Sequence, residues 1–293
     1  MNLLLNNIEE VPVCILCGKR GVNDPFAGAL LSLPTPFSIN ECQACDLRWL
    51  NPRPTSASYE KIYRDLYFSE AVTPEDYSDL VIERIPLFNQ RLDRILLLTG
   101  SGSKLLDIGA AKGDFVAMAR ARGMVAEGLE PSDWARAEAL REHGISLKTG
   151  GMSDMPSNHY DVVHMSHVFE HLLDPIELLV QIRRVLRSGG FLVIEVPQQF
   201  TNIVELRHRI LGKNNQQPFS LYSIHHPFFY TPFSIRKMFV LAGFNITRLS
   251  TWSSRIQRGS RREKVLLFLG DVIGKKGDFI EIFASKDYGK CVE

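Results

Sequence analysis

The sequence predicts an α/β protein: a mostly parallel sheet of seven strands with helices on both faces, behind a small cysteine-rich N-terminal unit. Three observations carry that expectation. From residue 104 onward short apolar runs alternate with amphipathic segments, and such alternation implies a parallel sheet covered on both faces. The stretch DIGAAKGDF, 107–115, lies between an apolar run and an Ala-rich amphipathic segment. That is the strand, glycine turn, helix order in which α/β sheets hold nucleotide-like ligands. Finally, four of the five cysteines form two C-x2-C pairs, Cys14/Cys17 and Cys42/Cys45, with 24 residues between the pairs.

The elements follow from pattern and punctuation. Residues 1–50 read as a Pro- and Cys-rich ribbon too small to build an apolar core without metal. NPRPTS, 51–56, is a linker, and 51–99 as a whole reads as a helical linker or lid. SASYEKIYRDLYF has aromatics at helical spacing, and the Pro in VIERIPLFNQRLDRILLL predicts a break. The large domain spans 100–293. Strand one is 105–108, and the first helix, 114–122, is stopped by Gly123. Strand two is 125–129; the helix after it is capped by Ser132 and ended by Gly144. Strand three is 145–148 and strand four 160–165. The next helix has Asp174 as N-cap and Pro175 at its first position, with Ser188-Gly189-Gly190 closing it. Strand five is 191–196, TPFSIRKMFVLAGF is a helix, strand six is 246–252, and DFIEIFAS holds the last strand. Segments 197–231 and 253–276 interrupt the alternation.

Composition narrows the function classes. With 45% hydrophobic and 23% charged residues the chain is an ordinary globular one, and a net charge of +1 gives no global electrostatic case for nucleic acid or a membrane surface. MNLLLNNIEE is too short and acidic for a signal peptide, and VLLFLG, 265–270, falls far short of a span. A cytoplasmic location is expected, and nothing in the sequence indicates the oligomeric state. In that setting the four cysteines read as a structural zinc site: tetrahedral zinc takes four thiolates, and each x2 turn converges two of them. Redox pairs or disulfides are the alternatives, disfavoured by compartment and by the lack of a βαβ setting. Cys291 is an ordinary thiol.

The glycine turn does not fit a dinucleotide. Gly109 and Gly113 are separated by three residues, so G-x-G-x-x-G fails. An acid, Asp107, ends strand one, where it repels a pyrophosphate and suits an ammonium group. Glu130, 23 residues later, ends strand two, where an acid accepts ribose hydroxyls. The pair describes S-adenosylmethionine better than NAD.

At these residues the chain resembles the class I S-adenosylmethionine-dependent methyltransferases, a Rossmann-like fold, over roughly 100–285. LLDIGAAKGDF, GLEPS, YDVVHMSHVFEHLLDP, LRSGGFLVIEVP and HHPFFYTPFSIRKMFVLAGF stand in that family's order. It is most similar to bacterial small-molecule methyltransferases with an N-terminal four-cysteine zinc ribbon followed by NPRP. The resemblance implies cofactor contacts from Asp107, Gly109, Ala110, Ala111, Gly113, Glu130, Pro131, Met152 and Ser166. Two departures stand out. Ala111 replaces a usual glycine; its methyl group is tolerated if the residue keeps φ negative, with a slightly tighter backbone approach to the cofactor. Gly151 stands where many members have an adenine-binding acid, so Met152 and Ser153 through backbone groups, or Asp154, are expected to substitute. Trp134 flanks the adenine or belongs to its helix core.

For the transfer, a base to deprotonate the acceptor is sought among His167, His171 and His226. His167-x2-Glu170-His171 also places oxygen and nitrogen ligands on one helical face, an alternative divalent-metal site. The amine-methylating [ND]-P-P-[YFW] signature is absent after strand four, where MSHV stands. An oxygen or carbon of a small-molecule acceptor is therefore expected, in a sugar, a glycolipid or polysaccharide precursor, or a secondary metabolite. Phe200, Phe219, Tyr222, Phe228 and Phe229 form the substrate wall or core. Two rival readings remain: an RNA methyltransferase, with SSRIQRGSRREK at 253–264 touching phosphates, and a non-catalytic cofactor-binding protein, for which Ala111 is the hint.

Overall fold

A computed structural model of the chain describes residues 7–31, 33, 35–61, 74–198, 200, 225–252, 277 and 279–286. The N-terminal part holds strands β1 (Ile8–Glu9), β2 (Val22–Asn23), β3 (Ser38–Cys42), β4 (Leu47–Asn51) and β5 (Arg53–Pro54), with helix α1 (Pro25–Leu30) between β2 and β3. Helices α2 (Ser56–Lys61) and α3 (Pro74–Thr99) follow. The large unit runs β6 (Lys104–Ile108), α4 (Asp114–Ala121), β7 (Val125–Leu129), α5 (Asp133–His143), β8 (Tyr160–Ser166), α6 (Pro175–Val185) and β9 (Leu186–Pro197). It continues with β10 (Phe228–Phe229), α7 (Pro232–Leu241), β11 (Asn245–Trp252) and β12 (Phe279–Ser285).

The central sheet has the order β11-β12-β9-β8-β6-β7 among the described residues. Its β7/β6, β6/β8 and β8/β9 pairs are parallel, while β12 runs antiparallel to β9 and β11. β6 therefore sends the chain to β7 on one side and has β8 on the other. That reversal of strand order opens a crevice at the carboxyl ends of β6 and β8, the place where open α/β sheets bind ligands. Val162, Val163 and Met165 of β8 and Leu192, Val193 and Ile194 of β9 are all fully buried, as strands covered on both faces must be. The flanking helices end where their sequence says. Ser132 accepts from the Ala135 N–H and Gly144 stops α5 at φ 66; Asp174 accepts from the Glu177 N–H with Pro175 behind it.

Three expectations need correction. Residues 145–148 form no strand: Lys148 makes a single parallel bridge to Leu129, and Gly150, at φ 117, turns the chain away immediately afterwards. Among the described residues the sheet thus has six strands, not seven. Ser188-Gly189-Gly190 does not close α6, which stops at Val185; these residues already belong to β9, which enters the sheet through an irregularity beside Tyr160. Nor does Pro86 break α3, which runs continuously through it. The lost backbone bond costs stability locally, but Phe88, Leu92 and Ile95 bury one face of the helix against Leu105, Phe115 and Val162. Phe219, Tyr222, Cys291 and the basic 253–264 run lie outside the described residues.

The cysteine-rich part does not stand apart from the sheet. Its own sheet has the order β10-β4-β3-β2, so its edge strand comes from far along the chain: Phe228 pairs with Trp49 and Phe229 with Arg48. The Leu50 N–H extends this pairing by donating to the Pro227 carbonyl at 3.0 Å. Cys14, Cys42, Leu47 and Trp49 share one apolar cluster with Phe169, Tyr230 and Met238.

Candidate functional site

The glycine turn leaves β6 and enters α4. Gly109 adopts φ 71, and a Cβ there would lie 2.3 Å from Val168 Cγ2, so the loop after β8 can close on this turn only if no side chain stands here. Gly113 adopts φ 80 as the N-cap of α4. Ala111 departs from expectation: its φ is +47, a conformation that costs a residue with Cβ roughly 1–2 kcal/mol. Its N–H is held there by a 2.9 Å bond to Glu130 Oε2.

Glu130, at the end of β7, is buried and also accepts from the Ser132 N–H at 2.8 Å. Burial raises its pKa, against the lowering effect of those two backbone donors. Ala110 is buried and, like Gly109, donates its N–H to the Leu129 carbonyl; Pro131 is exposed beside them. Lys112 is turned away, 3.6 Å from Glu142 and over the half-buried Trp134 ring. Two buried carboxylates at neighbouring strand ends, with the loop's cation withdrawn, suit an ammonium and a ribose rather than a pyrophosphate. Met152 is packed in the core and its carbonyl accepts from Arg184 at 2.6 Å. Asp154 is spent on the Gly151 N–H at 3.0 Å, so its side chain is not offered to an adenine.

Asp107 leads into a polar row unforeseen from sequence. Its Oδ1 accepts from His164 Nδ1 at 2.6 Å across the β6/β8 register, and the His164 ring stacks on Phe115 at 3.8 Å. Arg91, fully buried, donates to His164 Nε2 at 3.2 Å, to Glu195 Oε2 at 2.5 Å and to Glu281 Oε1 at 2.9 Å. Both neighbours of His164 thus fix one tautomer, with the proton on Nδ1. Ser166, the last residue of β8, donates to Glu195 Oε1 at 3.0 Å, and Trp252 Nε1 reaches Oε2 at 3.2 Å. Burial alone would raise the Glu195 pKa; Arg91, with His167 and Arg84, instead holds it well below the usual carboxylate range. The signal was present: Glu195 and Glu281 interrupt apolar strands, and Arg84, Arg91 and Arg94 share one face of α3.

Beyond β8, His167 takes φ 56, so it precedes the single turn Phe169–His171 and is not on its helical face. Its Nε2 faces Arg84 Nη2 at 2.6 Å and Glu195 Oε1 at 3.2 Å. His171 donates Nδ1–H to the His225 carbonyl at 3.0 Å and its ring meets that of His226 at 4.6 Å. Glu170, His171 and His226 bring one ligand atom each within 4.8 Å of one another. His226, the residue two positions before β10, is buried; His167 keeps a quarter of its side chain exposed.

The four cysteine sulfurs also converge within 4.8 Å of one another, with Cys17 and Cys42 at 3.6 Å. Zinc–sulfur bonds of about 2.3 Å in a tetrahedron require sulfurs roughly 3.8 Å apart, close to the Cys17–Cys42 separation. The two knuckles are alike. Gly18 and Asp46 each donate N–H to the carbonyl four residues back and adopt φ 68 and φ 52.

This fold, with acids at the ends of β6 and β7, defines the class: class I S-adenosylmethionine-dependent methyltransferases. The chain belongs to the methyltransferase-domain family, whose model matches residues 81–249, more than half of its length. It is 26% identical over 149 residues to an uncharacterized methyltransferase of Schizosaccharomyces pombe, a match covering 47% of this chain and 52% of the relative. The chain thus spans about half the length of that curated relative. A methyltransferase structure from Archaeoglobus fulgidus superposes with TM-score 0.51 at 19% identity, covering 72% of this chain and all of that one. Another, from Mesorhizobium loti, gives 0.48 at 15%, covering 69% and 97%. No helix among the described residues is long and apolar enough to cross a membrane.

Proposed function

We propose that the chain transfers a methyl group from S-adenosylmethionine to an oxygen or carbon of a small molecule. The observation that carries this reading is the pair of buried carboxylates, Asp107 and Glu130, flanking the Gly109–Gly113 turn at adjacent strand ends. In this reading Glu130 accepts the ribose hydroxyls and Asp107, oriented by His164, faces the ammonium group. Ala110, Ala111 and Pro131 complete the turn side, while Met152 and Ser166 flank it. S-Adenosylmethionine supplies an electrophilic methyl carbon, so the chain's own work is alignment and, where the acceptor needs it, removal of a proton. Of the three histidines, His226 is buried while His167 and His171 are part-exposed, and this reading takes His167, directly after β8 with a quarter of its side chain exposed, as the base. Glu130→Ala removes charge-assisted hydrogen bonds of roughly 1.5–3 kcal/mol each, so calorimetric titration should show at least a tenfold loss of cofactor affinity. Unchanged affinity would overturn the assignment.

The same reading takes residues 1–50 as a zinc ribbon, 51–99 as linker and lid, and 100–293 as the catalytic domain, with 197–231 facing substrate. Four cysteine sulfurs gathered within 4.8 Å of one another support zinc, and one zinc per ribbon is expected by metal analysis of protein purified without chelator. Its absence there would remove the ribbon assignment and leave the cofactor reading standing.

A further inference from the structure

We propose that Arg84 binds an oxyanion group, carboxylate or phosphate, carried by the methyl acceptor, which makes the acceptor an anionic small molecule. That the anion belongs to the acceptor rests on the proposed transfer; the anion site itself does not. Arg84 stands on α3, outside the sheet, and reaches the carboxyl ends of β8 and β9, where its guanidinium meets Ser166, His167 and Glu195. The glycine turn closes at the same edge, since Val168 packs on Gly109. Three observations single this arginine out. First, Glu195 is satisfied without it. Its Oε2 takes Arg91 at 2.5 Å and Trp252 at 3.2 Å, and its Oε1 takes Ser166 at 3.0 Å. Arg84 Nη1 stays 3.5 Å from Oε1, at the limit of a hydrogen bond. Second, its planar fork, which matches a carboxylate or phosphate, is not spent on one. Arg91 and Arg94 bond carboxylate oxygens at 2.9 Å or less, whereas the shortest contact of Arg84 is to a ring nitrogen, His167 Nε2 at 2.6 Å. Third, Arg84 keeps 22% of its side chain exposed, while Arg91 is fully buried and Arg94 is committed to Glu281. Arg84 is thus the cation of this row that an incoming molecule can reach at the crevice.

The contact with His167 ties anion binding to the proposed transfer. A guanidinium has only donors, so His167 Nε2 accepts from Arg84 and the ring proton lies on Nδ1. The nitrogen that the transfer needs as a base is therefore engaged by Arg84. An oxyanion is a stronger, charge-assisted partner for a guanidinium than a neutral imidazole. Docking one turns the N–H groups of Arg84 onto the acceptor and leaves the Nε2 lone pair to the acceptor's own proton. The neighbouring carboxylates do not take the place of that anion. Glu195 is paired with Arg91, Asp107 is bonded to His164, and Glu170 faces the other ring nitrogen of His167 at 3.3 Å. Phe279, stacked on Trp252 at 4.5 Å, lies 6.0 Å from the Arg84 guanidinium. That apolar wall keeps water from part of the charge and strengthens an ion pair formed there.

The test uses the full-length chain and three probes, benzoate, phenyl phosphate and benzamide, the last a neutral isostere of benzoate. Each is titrated by ligand-observed NMR. At least one anion should bind roughly tenfold or more tightly than benzamide, and the tighter of the two identifies the group. Arg84→Gln should erase that preference and Arg84→Lys should keep part of it, with circular dichroism confirming both folds. Equal binding of all three probes, no binding of either anion, or a preference that survives Arg84→Gln overturns the proposal. Should Arg84→Gln fail to fold, anomalous diffraction from wild-type crystals soaked in para-bromobenzoate or para-bromophenyl phosphate decides. A bromine peak whose oxyanion lies on Arg84 supports the site, and a peak only elsewhere, or none, refutes it. Titration of S-adenosylmethionine into the wild-type protein reads the transfer assignment separately: without cofactor binding that reading falls, while the anion site still stands or falls on the benzamide comparison.

Discussion

Replacing Arg91 by methionine strands two carboxylates that the fold otherwise neutralises. Arg91 and Glu195 are fully buried and Glu281 is 2% exposed, so the guanidinium is compensated by protein alone. Breaking a buried ion pair by removing one partner costs about 3–5 kcal/mol. Two secondary partners set the value within that range. Arg84 lies 3.5 Å from Glu195 and Arg94 lies 2.9 Å from Glu281, but both are part-exposed, so they offset only a fraction of the loss. A destabilisation of about 3 kcal/mol is therefore expected, or roughly 6–12 °C in Tm for a unit of this size. Urea denaturation followed by tryptophan fluorescence measures it, since Trp252 bonds directly to Glu195. The triple variant Arg91→Met, Glu195→Gln, Glu281→Gln should recover most of the stability, because neutral groups replace the whole cluster. A cost below about 1 kcal/mol for Arg91→Met would refute the reasoning, since it would mean water reaches these carboxylates freely.

Ala111→Gly should stabilise the chain by up to about 1.5 kcal/mol. It relieves roughly 1–2 kcal/mol of left-handed strain and forfeits about 0.4–1 kcal/mol of unfolded-state restriction; a measured loss above about 0.5 kcal/mol would show that the methyl group packs productively. His164 supplies a pH prediction. Burial lowers its pKa below the ordinary 6.5, with Asp107 opposing and Arg91 reinforcing the shift. Below that value the unfolded chain therefore binds the proton first, and stability falls as pH drops from about 6.5 toward the folded pKa. The slope approaches about 1.4 kcal/mol per pH unit for one proton. His164→Asn should flatten the stability profile between about pH 6.5 and 5 relative to wild type; an identical slope in both proteins would remove His164 as the cause.

Much of the architecture was legible because its signals are local. Ser132, Gly144, Asp174 and Pro175 act within four residues of where they stand, so each helix boundary they set could be read directly. The acids Asp107 and Glu130 were legible for a related reason: a strand followed by a turn fixes where its last side chain emerges. Strand three failed because its four residues have strand-like alternation, yet pairing is decided by Gly150 turning away beyond them. Ala111 failed because its φ is set by Glu130 gripping its N–H from another strand end.

The histidines show the limit most clearly. His167, Glu170 and His171 are close in sequence, and helical spacing assigns them one face. The backbone at His167 instead enters the left-handed region, and the ring swings toward Arg84 and Glu195 on other elements. The place beside Glu170 and His171 is taken by His226, more than fifty residues away. What brings it there is the pairing of Phe228 and Phe229 with Trp49 and Arg48. The cysteine-rich sheet therefore acts on the candidate site through its edge: the register of two residue pairs fixes the strand that His226 precedes. Local pattern identified the ribbon and the histidine separately; the long-range pairing joins them, and a pairing two residues long leaves no periodicity to read.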